Sequence, residues 1–292
     1  MDTAKIFNSI SIESKDFYID YGYAHYRIVS DVFYSNIDSC FDYYSDDNIE
    51  QQQNVAFKNA DGDPRHYVDI FRDPHSKSYL IYKDNKISKI IKNHLSSSNR
   101  FIFTHSKMSF KQIGVDTDWY PHQDHGYNFE KNVRDGFAIF ICLEDMDEDN
   151  GCLQIYPESH LLGPLSHDRQ IENIESGDNQ RLINQIPDSM IPVSIIAKKG
   201  DVIIFSPTTI HSSQSSKTKS KRLSLIAEIQ EFKTLTLDDY GKIPIFIIGS
   251  INTFERFTLN LRKIFSLQIY WNILKSNKKL SAFIRKLLYK YE

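Results

Sequence analysis

Cysteine is scarce in this sequence. Three cysteines, Cys40, Cys142 and Cys152, occur in 292 residues, and none of them belongs to a CxxC pair. A sparse and odd number of cysteines argues against a disulfide framework and is typical of reduced thiols. We therefore expect a cytoplasmic location.

Long apolar runs are also missing. The longest uncharged apolar stretch, IPIFIIGSINTF at 243–254, is too short to span a bilayer and contains Pro244 and Gly249. The first 18 residues lack the basic region and continuous apolar run of a signal peptide. We expect neither a membrane-spanning helix nor a cleaved leader.

The chain as a whole has no large excess of charge of one sign. Its formal net charge of −3 gives no reason to expect nucleic acid as a partner. Residues 241–292, however, hold ten Lys and Arg against two Glu, a local net charge of +8 that leaves −11 for the rest. Within this tail, 254–275 and 280–292 have the pattern of basic amphipathic helices. Three roles stay open for it: a helical cap on the core, a self-association surface, or a peripheral membrane contact.

Aromatic and β-branched residues are what the sequence has in abundance. The hydrophobic content is 40%, with 17 Tyr and 19 Phe, which is enough for a substantial core. Between 101 and 235, short strand-like runs such as GFAIFICLED, VSIIAKKGDVIIFSP and RLSLIAEIQ alternate with turn signals. This spacing predicts a mainly β fold with flanking helices, a sandwich or jelly roll rather than a parallel α/β sheet.

The chain divides into three regions by composition. They are a mixed, partly helical segment at 1–100 that packs on the core, the β-rich core at 101–235, and the basic helical tail at 236–292. In the first region, Ile87, Ile90 and Ile91 recur at helical spacing and predict a helix. A polar insertion at 166–189 interrupts the core, and we expect it at the rim of the barrel.

A candidate metal site begins with the stretch WYPHQDHGY at 119–127. On a strand, period-two geometry would send His122 and Asp124 to one face and Gln123 to the other. A third ligand, His211, follows a strand-like run, and Arg222 opens the next strand eleven residues later. A hairpin between these two strands would bring Arg222 back beside His211.

Two histidines and one carboxylate leave three positions of an octahedral metal open on one face. This ligand set is associated with non-haem Fe(II) oxygenases. A guanidinium suits the far carboxylate of a dicarboxylic 2-oxo acid, because its planar fork holds both oxygens at once. The residues therefore point to Fe(II), a 2-oxo acid and O2 acting together.

Three ordered motifs between 119 and 229 resemble those of the phytanoyl-CoA dioxygenase family of Fe(II)- and 2-oxoglutarate-dependent oxygenases. The matching stretches are HQD at 122–124, NGCLQIYPESH at 150–160 and IHSSQSSKTKSKR at 210–222. The resemblance implies a double-stranded β-helix core of the jelly-roll, cupin-like kind. It implies His122, Asp124 and His211 as iron ligands. It also implies Arg222, with Ser213 and Thr218 at the family's positions, as the 2-oxoglutarate anchor.

Further residues are weaker candidates. Gln112, Lys107 and Phe140 are expected near the co-substrate, although aromatic side chains such as Phe140 are more often core. On the substrate side we consider Trp119, His125 and Tyr127, against the alternatives of a surface or hydrogen-bonding role for His125 and plain wall packing for Tyr127. His160 is expected to brace a turn rather than to bind metal.

The expected function is hydroxylation of an unactivated C–H bond in a small molecule, with release of succinate and CO2. Asp124 supports this outcome, since related halogenases carry a small residue there to leave room for chloride. Two alternatives remain. The same chemistry could act on a carrier-, membrane- or polymer-linked substrate, or the barrel could be a non-catalytic binding module.

Overall fold

The computed structural model describes residues 5–28, 30–45, 55–58, 64–68, 78–82, 84–94, 101–111, 118–127, 136–167, 169–173, 178–218, 222–231 and 247–248. Its helices are α1 (Ile12–Tyr21), α2 (Asp31–Ser45), α3 (Ser78–Tyr82) and α4 (Asn85–His94). Its first seven strands are β1 (Ile6–Phe7), β2 (Tyr23–Arg27), β3 (Val55–Lys58), β4 (Pro64–Val68), β5 (Phe101–Lys111), β6 (Trp119–His122) and β7 (Gly136–Cys142). The others are β8 (Leu153–Ile155), β9 (Arg169–Asn173), β10 (Asp178–Leu182), β11 (Val193–Ser194), β12 (Asp201–Phe205), β13 (His211–Ser213), β14 (Arg222–Glu231) and β15 (Ile247–Ile248).

Two sheets of unequal size form the core. The major sheet has the order β1-β2-β12-β7-β14-β5-β4-β3, with β15 also paired to β5, and the minor sheet has the order β11-β8-β13-β6. Their inner faces meet, since the ring centroids of Phe205 on β12 and His211 on β13 are 4.6 Å apart. The arrangement is mainly β with few helices, which confirms the predicted jelly-roll class.

Apolar stripes attach the helices to this core. On α2, the buried residues Phe33, Ile37, Cys40 and Tyr44 recur every three or four positions. On α4, all three isoleucines that predicted a helix, Ile87, Ile90 and Ile91, are buried. Burying each such side chain contributes roughly 1.5–3 kcal/mol.

The first 100 residues do more than pack on the core. Strand β2 is hydrogen-bonded to β12 along Tyr23–Arg27, and β4 is hydrogen-bonded to β5, so this segment builds part of the major sheet. The insertion at 166–189 contains the hairpin β9–β10, a separate two-stranded sheet. In the tail, Ile247–Ile248 is a short strand. The two helices predicted at 254–275 and 280–292 lie outside the described residues.

A buried ionic cluster ties β2 to β12. The Asp201 carboxylate accepts hydrogen bonds from Arg27 Nε and Nη2 (3.0 and 2.8 Å), His25 Nε2 (2.9 Å) and the Lys198 N–H (2.9 Å). Burial by itself would raise the pKa of Asp201, but the bonds from His25, Arg27 and Lys198 outweigh it and hold the pKa at about 2. The cluster therefore stabilises the fold only while Asp201 is ionised.

No helix in the described part of the chain is long and apolar enough to cross a membrane. Cys40, Cys142 and Cys152 are all buried free thiols.

Candidate active site

His122, Asp124 and His211, the three residues singled out as metal ligands, lie together between the sheets. One candidate ligand atom from each lies within 4.8 Å of those of the other two. His211 Nε2 is 3.6 Å from Asp124 Oδ1, and the two imidazole centroids are 4.2 Å apart. Both histidines are buried and Asp124 is half-buried, so a cation here would be held in a partly desolvated pocket.

Strand pairing brings the two histidines together. His122 is the last residue of β6 and His211 the first of β13, and the two are directly opposite in the antiparallel register. Asp124, however, does not lie on a strand, because a 3-10 helix begins at this residue and runs to Tyr127. The strand alternation expected for His122 and Asp124 is therefore wrong, and the turn after β6 delivers the carboxylate instead.

Backbone hydrogen bonds orient both imidazoles in the same way. His122 Nδ1 bonds the Tyr120 carbonyl at 2.7 Å, and His211 Nδ1 bonds the Thr209 carbonyl at 3.1 Å. With the proton on Nδ1, the lone pair of each Nε2 is available for a metal.

Burial also keeps these imidazoles neutral. It lowers the pKa of His122 well below its usual range, and the neighbouring His211 lowers it further. Burial lowers the pKa of His211 as well, although the Asp124 carboxylate opposes this. Neutral imidazoles are the form that binds metal, so the site is ready for a cation.

Gln123, between two of the candidate ligands, holds three loops in place. Its Nε2 donates to the carbonyls of Gly163 (2.9 Å) and Thr208 (2.6 Å), and its Oε1 accepts from the Leu165 N–H (2.8 Å). Its own N–H donates to His167 Nε2 at 3.0 Å. The side chain is fully buried, so each of these bonds satisfies a group that water cannot reach.

His167 reaches Gln123 because residue 126 is glycine. A Cβ at Gly126 would lie 2.5 Å from the His167 ring, closer than any packed side chain tolerates. His167 Nδ1 bonds the Leu165 carbonyl at 2.8 Å, which leaves Nε2 to accept from Gln123. His167 thereby supports the segment that carries Asp124.

Arg222 approaches the site from the opposite sheet. Because β13 belongs to the minor sheet and β14 to the major sheet, the predicted hairpin beside His211 is wrong. The Arg222 side chain is 2% exposed, with Nη1 donating to the Gly151 carbonyl and Nη2 to Ser224 Oγ at 3.4 Å. Its Nε has no partner among the described residues. Burial lowers the pKa of Arg222 to about 10, so the guanidinium is still charged at neutral pH.

A second buried cation, Lys111, lies beside Arg222. The two residues are directly opposite in the β5–β14 register, so their side chains share a face, and Lys111 is 1% exposed. Gly151 fits between them, since a Cβ there would lie 2.7 Å from Lys111 Cδ, and its φ of +77° is one that other residues rarely adopt. Sequence reasoning missed Lys111, since no local pattern marks a lysine on a strand as buried.

A model of the family described as phytanoyl-CoA dioxygenase (PhyH) matches residues 41–224, which is more than half of the chain. The chain belongs to the phytanoyl-CoA dioxygenase family. The peroxisomal phytanoyl-CoA dioxygenase of Mus musculus is 29% identical over 121 residues, which cover 39% of this chain and 34% of the relative. The aligned region thus spans about a third of that curated relative.

Solved structures share the fold of this family member. EctD from S. alaskensis, solved with 2-oxoglutarate and 5-hydroxyectoine, has a TM-score of 0.62 and 14% identity, covering 77% of each chain. The epimerase SnoN, in complex with Fe3+, alpha ketoglutarate and nogalamycin RO, has a TM-score of 0.60 and 17% identity, covering 75% of this chain and 82% of its own.

The other residues predicted to bind the co-substrate occupy different settings. Ser213 is buried on β13, two residues after His211 and therefore on the same face. Phe140 is buried on β7, and the Arg222 guanidinium carbon is 5.8 Å from its ring centroid. Thr218 lies in the segment after β13, where its hydroxyl is 3.0 Å from that of Ser216. Gln112 lies outside the described residues.

Two of the candidates for the substrate side, Trp119 and His125, have described contacts. The Trp119 ring centroid is 5.7 Å from that of His122. His125 is half-buried in the 3-10 helix, and its N–H donates to the Pro207 carbonyl at 3.0 Å. Tyr127 ends the same helix. Their contacts with substrate stay predictions.

His160 is a brace rather than a ligand, as predicted. Its Nε2 bonds the Ile19 carbonyl of α1 at 2.8 Å.

The residues fit iron and 2-oxoglutarate. Two neutral imidazoles and one carboxylate converge as a facial set for Fe(II). The unpartnered, buried Arg222 Nε is a donor that a carboxylate would satisfy.

Proposed function

We propose that this protein is an Fe(II)- and 2-oxoglutarate-dependent dioxygenase that hydroxylates an unactivated C–H bond of a small molecule. The observation that carries the proposal is the cluster of His122, Asp124 and His211, with ligand atoms within 4.8 Å of one another. The small molecules bound to EctD and SnoN, named 5-hydroxyectoine and nogalamycin RO, support a small-molecule substrate.

Each part of the site has a separate role in this function. When bound, Fe(II) supplies the redox chemistry that couples O2 and 2-oxoglutarate decarboxylation to C–H oxidation, with succinate and CO2 as products. The carbonyls of Tyr120 and Thr209 fix the imidazoles of His122 and His211 so that Nε2 faces the metal.

The far carboxylate of 2-oxoglutarate is assigned to the Arg222 end of the cavity. A buried guanidinium offers two oxygens a matched pair of donors, and Lys111 beside it supplies a second positive charge. A dicarboxylate suits this end of the site better than a neutral ligand, because a carboxylate oxygen would satisfy the buried Arg222 Nε.

The basic tail is the feature that favours the alternative of a carrier-, membrane- or polymer-linked substrate. The cap, self-association and membrane roles of this tail stay predictions, as does the cytoplasmic location. The intact ligand set argues against a non-catalytic binding module.

Uncoupled turnover tests the proposal without knowledge of the substrate. Purified protein supplied with Fe(II), ascorbate and 2-oxoglutarate should form succinate slowly. His122→Ala should abolish this activity, and Arg222→Ala should abolish it at ordinary 2-oxoglutarate concentrations and restore part of it at high ones. His160→Gln, which alters a histidine outside the ligand set, is the matched control. Equal succinate formation by the wild type, His122→Ala and Arg222→Ala would overturn the proposal.

A further inference from the structure

Lys107 is an inward-facing cation that has no role in the proposed binding of 2-oxoglutarate by Arg222. It lies on β5 four residues before Lys111, so period-two geometry places both side chains on the face of the major sheet that meets the minor sheet. Its Nζ lies over the Trp119 ring of β6, 4.8 Å from the centroid. The residue is half-buried, and its ammonium reaches from the major sheet to the ring of a residue on the minor sheet.

This ammonium is close to the metal ligands. Burial is the main reason that the pKa values of His122 and His211 are low, and the positive charge of Lys107 lowers both further. No carboxylate among the described residues lies within ion-pair distance of Lys107 Nζ. An aromatic ring contributes only about 0.5–2 kcal/mol to a cation, which is less than a charged hydrogen-bond partner would.

The far carboxylate of 2-oxoglutarate does not account for Lys107. Four residues of β-strand span about 13 Å, so the backbone of Lys107 is that far along β5 from Lys111, which is opposite Arg222. The Lys107 ammonium lies instead over the Trp119 ring of the minor sheet. Lys107 therefore faces the region between the sheets next to Trp119 and His122.

We propose that Lys107 and Trp119 form a binding site for the primary substrate, which is a small molecule bearing a carboxylate. Lys107 bonds the carboxylate with its three mobile donors, and the Trp119 ring packs against the adjoining apolar part of the molecule. Since Trp119 is 5.7 Å from His122 between ring centroids, a substrate held there has its neighbouring carbons next to the metal centre. This inference rests on the proposed oxygenase function and specifies its substrate class.

The test compares two lysines on the same face of the same strand. Binding of hexanoate, phenylacetate and their neutral amides is measured by calorimetry under anaerobic conditions, on protein loaded with Fe(II) and 2-oxoglutarate. The wild type should bind each acid about 10- to 100-fold more tightly than its amide, the range expected for a charged hydrogen bond. Lys107→Met should remove this preference, and Lys107→Arg should restore part of it.

The co-substrate is titrated in parallel on the Fe(II)-loaded protein. Lys107→Met should weaken acid binding at least ten times more than it weakens 2-oxoglutarate binding, and Lys111→Met should do the reverse. The exposed Lys198→Met is the matched surface control. In a Trp271→Phe background, Trp119 is the sole tryptophan, so its fluorescence should change when an acid draws the ammonium away from its ring.

Several results would overturn the inference. In the first, acids and amides bind the wild type equally; in the second, no acid binds; in the third, the preference for acids survives in Lys107→Met. In the last, Lys107→Met weakens binding of 2-oxoglutarate alone. The last result would assign Lys107 to the co-substrate. If Fe(II) and 2-oxoglutarate bind normally while the acid preference is absent, only this inference fails. If neither Fe(II) nor 2-oxoglutarate binds, the oxygenase function itself fails.

Discussion

The two sheets hold their functional residues in different ways. In the major sheet, Arg222 and Lys111 are fixed by a long and nearly uninterrupted ladder, since β14 and β5 pair over ten residue positions. In the minor sheet, β6 and β13 have four and three residues, and the pairing is irregular between His211 and Ser213. The candidate metal ligands there depend on hydrogen bonds from side chains to loop backbone, above all those of Gln123.

This difference separates the two binding tasks. A regular ladder tolerates the loss of one side chain, because its backbone bonds remain and keep the strand in register. A loop held by a few buried side-chain bonds loses its position when one of these side chains is changed. We therefore expect changes in the major sheet to affect the co-substrate selectively, and changes in the minor sheet to affect the metal and the fold together.

The largest effect is expected at the minor sheet, from His211→Ala. Removing one of two imidazole ligands should abolish Fe(II) binding at micromolar metal. The metal-free protein should also melt below the wild type, since removal of the buried imidazole leaves a cavity in the minor sheet. The shift in melting temperature caused by Fe(II) or Co(II) should disappear, and this shift is the measurement.

Ser212→Ala is the neighbouring control for this prediction, because Ser212 bonds Gln154 rather than a ligand. A metal-induced shift retained by His211→Ala would contradict the assigned ligand set.

The next effect is expected at the major sheet, from Arg222→Met. The buried guanidinium should contribute about 2–5 kcal/mol to binding of the 2-oxoglutarate carboxylate, so the KM for this co-substrate should rise about 30- to 4,000-fold. Fe(II) affinity, measured by titration without co-substrate, should change far less. A comparable loss of Fe(II) affinity would show that the two sheets are not separable in function.

Gln123→Leu tests the loop bonds of the minor sheet. The change keeps the side-chain volume but leaves buried backbone groups of Gly163, Thr208 and Leu165 without their partner. We expect Fe(II) affinity to fall about 10- to 100-fold, as for other groups that orient metal ligands. The free energy of unfolding should also fall by about 2–4 kcal/mol.

Gln123→Glu is a second variant at this position. It keeps an acceptor for the Leu165 N–H but places a carboxylate oxygen against the carbonyls of Gly163 and Thr208. Wild-type metal affinity in Gln123→Leu would show that the loops hold their positions without this residue.

Acid should weaken the junction between β2 and β12. Asp201 has a pKa of about 2 in the folded protein against an ordinary value of 3.8, so its ionised form stabilises the fold above pH 4. This stabilisation, at most about 2–3 kcal/mol, is lost as the pH falls from about 4 to 2. Chemical unfolding at pH 5 and pH 3 should show a steeper loss in the wild type than in Asp201→Asn. Equal losses in both proteins would rule out this cluster as an acid-sensitive point.

The smallest effect is expected from Ser224→Ala. The bond from Arg222 Nη2 to Ser224 Oγ is long, at 3.4 Å, and Arg222 also donates to Gly151. The KM for 2-oxoglutarate should rise no more than about threefold. A tenfold change would mean that Ser224 fixes the guanidinium more firmly than the ladder does.

Sequence reasoning selected His122, Asp124 and His211, which the structure brings together, but not the geometry that unites them. The spacing of His122, Asp124, His211 and Arg222 was sufficient to select the four residues, because a metal and a dicarboxylate demand these donor types. Strand alternation and a hairpin were the wrong physical reasons for their convergence. A 3-10 helix presents Asp124, and Arg222 comes from the other sheet.

The missed residues share a feature. Lys111 and Gln123 have no local signal of function, because a lysine and a glutamine are ordinary on any exposed strand or turn. Their burial shows that they matter here, and burial is a property of the assembled sheets.

By itself, the sequence determined the ligand types, the β-rich core and the helix at Ile87–Ile91, since donor chemistry and hydrophobic periodicity are written along the chain. The tertiary structure decided which sheet carries each charge, which amide holds the ligand loops, and where Lys107 faces. These features depend on contacts between residues far apart in sequence, and such contacts exist only once the two sheets close on each other.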